Sequence, residues 1–479
     1  MSAPKTHAAA ELDARHVWHP FTQMRDWTAP GAAPIVIVEG EGAVLRDSEG
    51  REYLDGNSSI WTNVHGHRRP EIDAALRAQL DRIAHSSFLG LTNDVAPRLA
   101  AELLRWLGDK AGDDAGGRTV FFSDDGSTAI EAGLKMIHQA RAQRGEAQRR
   151  VYLSLGAGYH GDTVGAMSLG HSGVFHGTYR GLMFESREVM SPFCYRCPHN
   201  RAQPERGADA RTSRKCQWEC LREAEQALEE TRDTASAFVL EPRVQGAGSM
   251  AMHPPGYLAR LAELCRARGV WLFLDEVMTG FGRTGAMFAF QTEEGVEPDV
   301  IALAKGLTGG YLPLAATVAS REIYEAFLGD YADFKTFFHG HSYCGNQLGC
   351  AAARASLALF ESVHPLAHIR RLGEKLQALL QPLWAHPHVG DIRCEGMVCA
   401  VELVEDFATR RRFPAARRIG WQVCEAAKRH GLLTRPIGDV IVLMPPYCVT
   451  ETQLETAVEA LRLAVTEVLP REVGNHHEL

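Results

Sequence analysis

Short, mostly apolar runs recur through the middle of this chain: VFF (120–122), VYLSL (151–155), AFVL (237–240), VWLFL (270–274), VIALA (300–304) and LPLAATVAS (312–320). Each is bounded by glycine, polar or ionisable residues. Runs without polar alternation, four to eight residues long, predict strands buried on both faces rather than strands with a wet side. Between them the apolar period changes to that of helices. Ile130, Leu134 and Ile137 repeat on one face after the turn at Asp124-Asp125-Gly126, and Ile72, Ala75, Leu76 and Leu80 do so over about 71–84. Strand and helix in alternation predict an α/β sheet. Before this region, Pro34 to Glu39 and Ala43 to Arg46 read as short strands turned at Gly40-Glu41-Gly42, and residues 1–34 read as irregular. After about residue 345 the texture changes. A long Ala-rich helix ends near Phe360, and helix, short strands, helix, a hairpin (LLTRPIGDVIVLMPP) and a last helix follow, the last started by Thr450 with Gln453 three residues on. That order predicts a smaller α+β domain.

The ends of the apolar runs carry the chemistry. VWLFL ends in Asp275-Glu276, and VIALA ends in Lys305-Gly306. Two buried strands delivering a carboxylate and an amine at their carboxyl ends describe the active edge of an α/β sheet. That pair suits pyridoxal phosphate: a lysine carries the cofactor covalently, and an aspartate keeps its pyridine nitrogen protonated. The chain has only eight lysines, and Lys305 alone ends an apolar run against a glycine. A phosphate-hydrolysing protein with magnesium on the aspartate would need a glycine-rich loop ending in Gly-Lys, and no Gly-Lys dipeptide occurs. The turn at Asp124-Asp125-Gly126, feeding a helix capped near Ser127 or Thr128, offers free N–H groups to a phosphate. Tyr159, His160 and Asp162 follow another strand, where an aromatic ring can stack on a flat cofactor or line the core. Glu241 ends a further strand. Arg435 sits beside Pro436 between strand-like segments, where a fixed guanidinium can clamp a carboxylate or simply lie on the surface.

Bulk properties narrow the class. A chain of 479 residues with 45% hydrophobic and 23% charged positions can bury a large core in two or more domains. The net charge of −8 argues against a nucleic-acid surface. No stretch reaches membrane-spanning length, and residues 1–16 lack the apolar core of a signal peptide. Eleven cysteines, an odd number, fit a reducing cytoplasm better than a disulfide framework. Cys194 and Cys197 (C-x-x-C) with Cys216 and Cys220 (C-x-x-x-C) have spacing compatible with a structural zinc site, free thiols being the default. His65 and His67 form an H-x-H pair with no evident third ligand, so no metal is expected there.

HVWHPFTQM, SSIW, GYHGDT, DEVMTGFGRTG, LAKGLTGG, HGHSYCGNQLGC and TRPIGDVIVLMPPY together resemble the class III aminotransferases of fold type I, over about residues 15–465. The resemblance implies a large domain with a mostly parallel seven-stranded sheet (76–344) and a small α+β domain (345–479). Residues 1–75 would contribute to the small domain and the substrate pocket. It further implies that Lys305, Asp275 and Tyr159 are catalytic, and that Gly126, Ser127, Tyr159, Asp275 and Lys305 bind pyridoxal 5'-phosphate. His341 and Ser342 would complete the phosphate site of a second copy in a cytoplasmic homodimer. Phe21, Ile60, Trp61, Tyr159, Arg283, Gly340 and Arg435 would line or support the substrate pocket, with Asp162. Several of these motifs look like the branch that aminates 8-amino-7-oxononanoate by ping-pong transamination. An ω-amino acid:pyruvate transaminase of the same class would share every cofactor residue. Phe21 and Ile60 stand where many members of that branch carry tyrosine and tryptophan. That aliphatic element at Ile60 favours lysine over S-adenosylmethionine as amino donor. A metal-dependent hydrolase built on the two H-G-H stretches is the remote alternative.

Overall fold

A computed structural model describes residues 4–29, 34–109 and 117–470. Three N-terminal strands, β1 (Ile37–Glu41), β2 (Val44–Asp47) and β3 (Glu52–Asp55), form an antiparallel meander. The central sheet is built from β4 (Thr119–Ser123), β5 (Val151–Leu155), β6 (Arg187–Val189), β7 (Ala235–Leu240), β8 (Trp271–Asp275), β9 (Val300–Leu303) and β10 (Ala315–Ala319). Its strand order is β4-β10-β9-β8-β7-β5-β6. Only β10 runs antiparallel to its neighbours. Every residue of β7, β8, β9 and β10 is buried, as uninterrupted apolar runs require.

The two faces of the sheet bury different partners. Ala237, Val239 and Phe273 point to α1 (Gly126–Gln143) and meet Ile130, Leu134 and Ile137. Phe238, Leu240, Leu272 and Leu274 point the other way, into a larger core with Leu99, Leu103, Leu258 and Leu261. Gly133 lets α1 lie close: a Cβ there would stand 2.5 Å from the Phe273 ring. The cap of α1 is Asp125, earlier than the Ser127 or Thr128 expected from sequence. Its carboxylate accepts the Thr128 N–H at 2.9 Å while the Thr128 hydroxyl accepts the Asp125 N–H, a reciprocal capping box.

Beyond α2 (Gln347–Ser362), strands β11 (Val389–Glu395), β12 (Val398–Leu403), β13 (Leu432–Leu433), β14 (Pro436–Ile437) and β15 (Val440–Leu443) follow, with the closing helix α3 (Glu451–Val468). β11, β12, β15 and β14 form one sheet in that order, whereas β13 leaves it to add to the N-terminal meander beside β3. Leu432 pairs with Leu54 and Leu433 with Asp55, in parallel. Residues near the two ends of the chain thus share one sheet. Two local expectations differ from the structure. Residues Pro4–His16 are helical rather than irregular, and the helix placed at 71–84 is Pro70–Leu80, started by proline at its first position.

Candidate active site

The carboxyl ends of β4, β5, β7, β8 and β9 open on one cavity of about 1110 Å3. Lys305, Asp275, Glu241, Tyr159, His160, Gly126 and Ser127 line its sheet side, and Phe21, Asn57, Ile60, Trp61 and Arg435 line the opposite wall. Asp275 is buried at the end of β8. Its Oδ2 accepts a hydrogen bond from His160 Nδ1 at 2.7 Å, and its Oδ1 accepts the Val277 N–H at 3.1 Å. Burial opposes protonation of His160, but the hydrogen bond and charge of Asp275, with the charge of Glu241, outweigh it and raise its pKa. Glu241 receives N–H groups from Tyr159 (3.2 Å) and Gly246 (2.7 Å). Burial, with the Asp275 charge and against His160, pushes its carboxyl up to about 7.

Lys305 follows β9 in the left-handed region (φ 47°), and its Nζ lies 4.7 Å from the centre of the Trp61 ring. Burial lowers its pKa, Arg283 adding to this while Asp275 and Glu241 oppose it. An amine so placed is more available as a nucleophile and base than a surface lysine. Ser127 Oγ, in the first turn of α1, accepts the Thr163 N–H at 3.0 Å and shares a hydrogen bond of 2.8 Å with the Thr163 hydroxyl. Gly126 has no room for a side chain, because a Cβ would come 2.6 Å from Val277 Cγ1. With the Thr128 N–H taken by Asp125, the N–H groups of Gly126 and Ser127 are left to take an anion.

The wall facing Lys305 is a strained turn. Ser58, Ser59, Ile60 and Trp61 all have positive φ (44°, 48°, 66° and 68°). A left-handed turn of L residues costs roughly 1–2 kcal/mol per residue, so its surroundings must over-determine it. They do. Asp55 accepts both the Ser59 N–H (2.9 Å) and the Ser59 hydroxyl (2.8 Å), the Ser58 hydroxyl donates to Met444 O (2.7 Å), and Trp61 Nε1 donates to Asn57 (2.8 Å). Arg283 is fully buried and donates to Pro445 O at 3.1 Å and Trp61 O at 3.3 Å. It supports the wall from behind and does not line the cavity. Arg435 does line it and is exposed.

Phe21, Phe175 and Tyr159 meet edge to face, with ring centres 5.8 Å apart (Phe21–Phe175), 5.8 Å (Tyr159–Phe175) and 6.5 Å (Phe21–Tyr159). The Tyr159 hydroxyl donates to Asp162 Oδ2 at 2.6 Å, and burial with this bond raises its pKa. Gly340, His341 and Ser342 are not among the cavity-lining residues; His341 Nδ1 lies 3.4 Å from Asp124 Oδ2, beside the start of α1.

Sequence reading assigned no part to His160, Glu241, Asn57 or Phe175. For His160 and Glu241 the available signal was position: Glu241 directly follows β7, and His160 lies in the short loop after β5 at the same edge. The H-x-H pair is structural. His67 donates to Asp55 (3.0 Å) and accepts from Asn63 (2.8 Å), while His65 is buried against Ser356 and His364, each at 3.1 Å. All four ring nitrogens are occupied by protein, which leaves none for a metal.

A half-buried lysine and a buried aspartate at adjacent strand ends, with the start of α1 lining the same cavity, fit pyridoxal 5'-phosphate residue by residue. Fold and site together define a pyridoxal-phosphate-dependent aminotransferase. The chain belongs to the class III aminotransferase family, whose model matches residues 28–465. It is 49% identical to the adenosylmethionine-8-amino-7-oxononanoate aminotransferase of Nitratidesulfovibrio vulgaris, covering 97% of this chain and 83% of that one. It is 46% identical to the enzyme of the same name from Geobacter sulfurreducens, covering 97% and 98%. The crystal structure of that enzyme from Methanocaldococcus jannaschii superposes with a TM-score of 0.88 at 38% identity, covering 96% of this chain and 99% of that one. An amine transaminase from an uncultivated Pseudomonas species, in its pyridoxal-phosphate-bound form, gives 0.85 at 33% identity, covering 95% and 99%.

Proposed function

We propose that this enzyme aminates 8-amino-7-oxononanoate in biotin biosynthesis, with S-adenosylmethionine as donor, as a cytoplasmic homodimer. The observation that carries the donor choice is the aromatic trio of Phe21, Phe175 and Tyr159 beside the Asp162 carboxylate. Aromatic faces and a carboxylate suit a sulfonium cation. Phe175 supplies the aromatic surface that Phe21 and Ile60 alone lack, and the names of the relatives point the same way. Lysine remains the second reading on the strength of Ile60, whose aliphatic side chain can accompany a methylene chain. Pyruvate-dependent amine transamination is the third, on the strength of the Pseudomonas relative.

Pyridoxal phosphate, when bound, supplies the carbon at which the amino group is exchanged and a ring that draws electrons from it. The chain does the rest. Asp275, held by His160, presents a fixed negative charge to the pyridine nitrogen. Lys305 holds the cofactor and then moves a proton at the substrate carbon that bears the amine, a task favoured by its lowered pKa. Arg435 takes the substrate carboxylate. The first turn of α1, with Ser127, takes the phosphate and stops the cofactor from drifting between half-reactions.

Homodimerisation has its own support. Leu89 and Leu91 are exposed, as are Phe334, Phe338 and Tyr343, and the His85 and Tyr343 rings, 4.9 Å apart, join these two segments. His341 and Ser342 lie in the same stretch, so a second copy seated here brings them towards a phosphate site.

The donor is tested in the first half-reaction: each candidate is added without acceptor, and conversion of the cofactor to its amine form is read by absorbance. S-adenosylmethionine should convert it fastest. Rapid conversion by lysine alone reinstates lysine, and rapid regeneration by pyruvate rather than 8-amino-7-oxononanoate assigns the amine:pyruvate reaction.

A further inference from the structure

Away from the transamination site, residues 191–220 bring four cysteines together. Cys194, Cys197, Cys216 and Cys220 all line one enclosed void of about 10 Å3, closed by Trp218 and Pro192. That is the size of a single small occupant. None of the four is in a disulfide. Their surroundings are arranged for sulfur that carries negative charge. The Cys197 sulfur receives the backbone N–H groups of His199 and Asn200. Cys220 stands in the first turn of the helix Glu219–Glu230, where its own N–H and that of Leu221 reach its sulfur. Arg214 lines the same void and acts on Cys194. Four cysteines gathered on one void, with donors set for thiolates around them, are reconciled by a metal ion.

We propose that Cys194, Cys197, Cys216 and Cys220 bind one zinc ion as a tetrahedral four-thiolate site. Binding takes four thiols to four thiolates, releases four protons to solvent and involves no change of oxidation state. Among the described residues no group of three or more His, Cys, Asp or Glu already stands as a metal cage. Binding would require the sulfurs to turn inward about their Cα–Cβ bonds, with the backbone around the void in place. Four protein ligands leave no open position, so the ion is structural. What it fastens is clear from the contacts around it. Arg196 bonds Glu402 at 2.8 Å and Arg211 bonds Glu395 at 2.6 Å, while the Ser191 hydroxyl donates to Gln245 next to β7. The ion would lock the segment that joins the central sheet to β11 and β12. This inference stands apart from the choice of substrate and donor.

The test is elemental analysis of the full-length holoenzyme purified without chelator from zinc-supplemented cells. One zinc per chain is expected, lost in the Cys197→Ser/Cys216→Ser double variant. That variant should keep its bound cofactor and its first half-reaction rate while its thermal midpoint falls. Should the variant fail to fold, the wild type decides. A mercurial reagent should release one equivalent of zinc, and cobalt-substituted protein should show the visible absorption of a tetrahedral cobalt–thiolate site. Folded wild-type enzyme with negligible metal, iron in place of zinc, or zinc retained by the double variant would each overturn the proposal.

Discussion

Lys305 and Asp275 were legible because their signal is local: a buried strand, then one ionised side chain. Their partners were not. His160 reaches Asp275 across 115 residues of sequence, and only the sheet order sets β7 beside β8 and β5 next to β7. We predict that Lys305→Ala keeps non-covalent cofactor and loses turnover, and that borohydride fixation followed by peptide mapping labels Lys305 in the wild type. A label on another lysine would refute the assignment. Asp275→Asn should lose at least about 4 kcal/mol of transition-state stabilisation with the cofactor still bound, because the electron-withdrawing state of the ring depends on that charge. Near-normal kcat would sink it.

A pH effect also belongs to single residues. Glu276 is fully buried, and although it accepts the Thr279 hydroxyl (2.5 Å) and the Phe290 N–H (2.9 Å), burial pushes its carboxyl up to about 7. A carboxyl whose folded pKa is raised binds its proton more tightly in the native state. Its contribution is therefore complete below the unfolded value near 4.5 and is lost as pH rises through about 7. The 2.5-unit difference corresponds to about 3 kcal/mol at most. Glu276→Gln should remove this slope, so that the thermal midpoint of the variant gains on that of the wild type between pH 5 and 8, roughly the window those values set. A constant difference across that range would exclude the titration.

At the level of elements, sequence patterning found the buried strands because apolar run length is a direct consequence of burial on both faces. It could not give strand direction: nothing in LPLAATVAS marks β10 as the antiparallel member. Nor could it give the left-handed turn at Ser58–Trp61, since no glycine announces it and its cost is borne by Asp55 and Met444, the latter nearly four hundred residues away. Asp55 is the residue to test. Asp55→Ala removes both bonds to Ser59 and the one from His67, costing about 1–3 kcal/mol of stability for the groups left unpaired. We predict that cofactor absorbance survives while KM for both substrates rises about tenfold or more, in keeping with a wall that has lost its shape. Unchanged KM would show that the turn holds itself.

At the scale of the whole molecule, the α/β class and the later change to α+β texture were legible from periodicity. The parallel pairing of β13 with β3 was not, because two-residue strands carry no pattern. Assembly remains for experiment. If His341 and Ser342 serve a partner's phosphate site, mixing Lys305→Ala chains with Ser342→Asp chains should restore activity through hybrid dimers with one intact site. With subunit exchange verified by mass, absence of any recovery would assign each phosphate site to one chain.

The pairing of Leu432 and Leu433 with Leu54 and Asp55 also sets an order of events during synthesis. Asp55, which holds the wall turn, and Arg435, which lines the cavity, both stand at the end of that short ladder. The first is made among the earliest residues and the second among the last. A growing chain can close the central sheet, with Lys305, Asp275 and the first turn of α1, long before residue 433 leaves the ribosome. We therefore expect cofactor binding to precede substrate competence as the chain is made. On that order, a nascent chain that has bound its cofactor does not yet present the completed substrate wall.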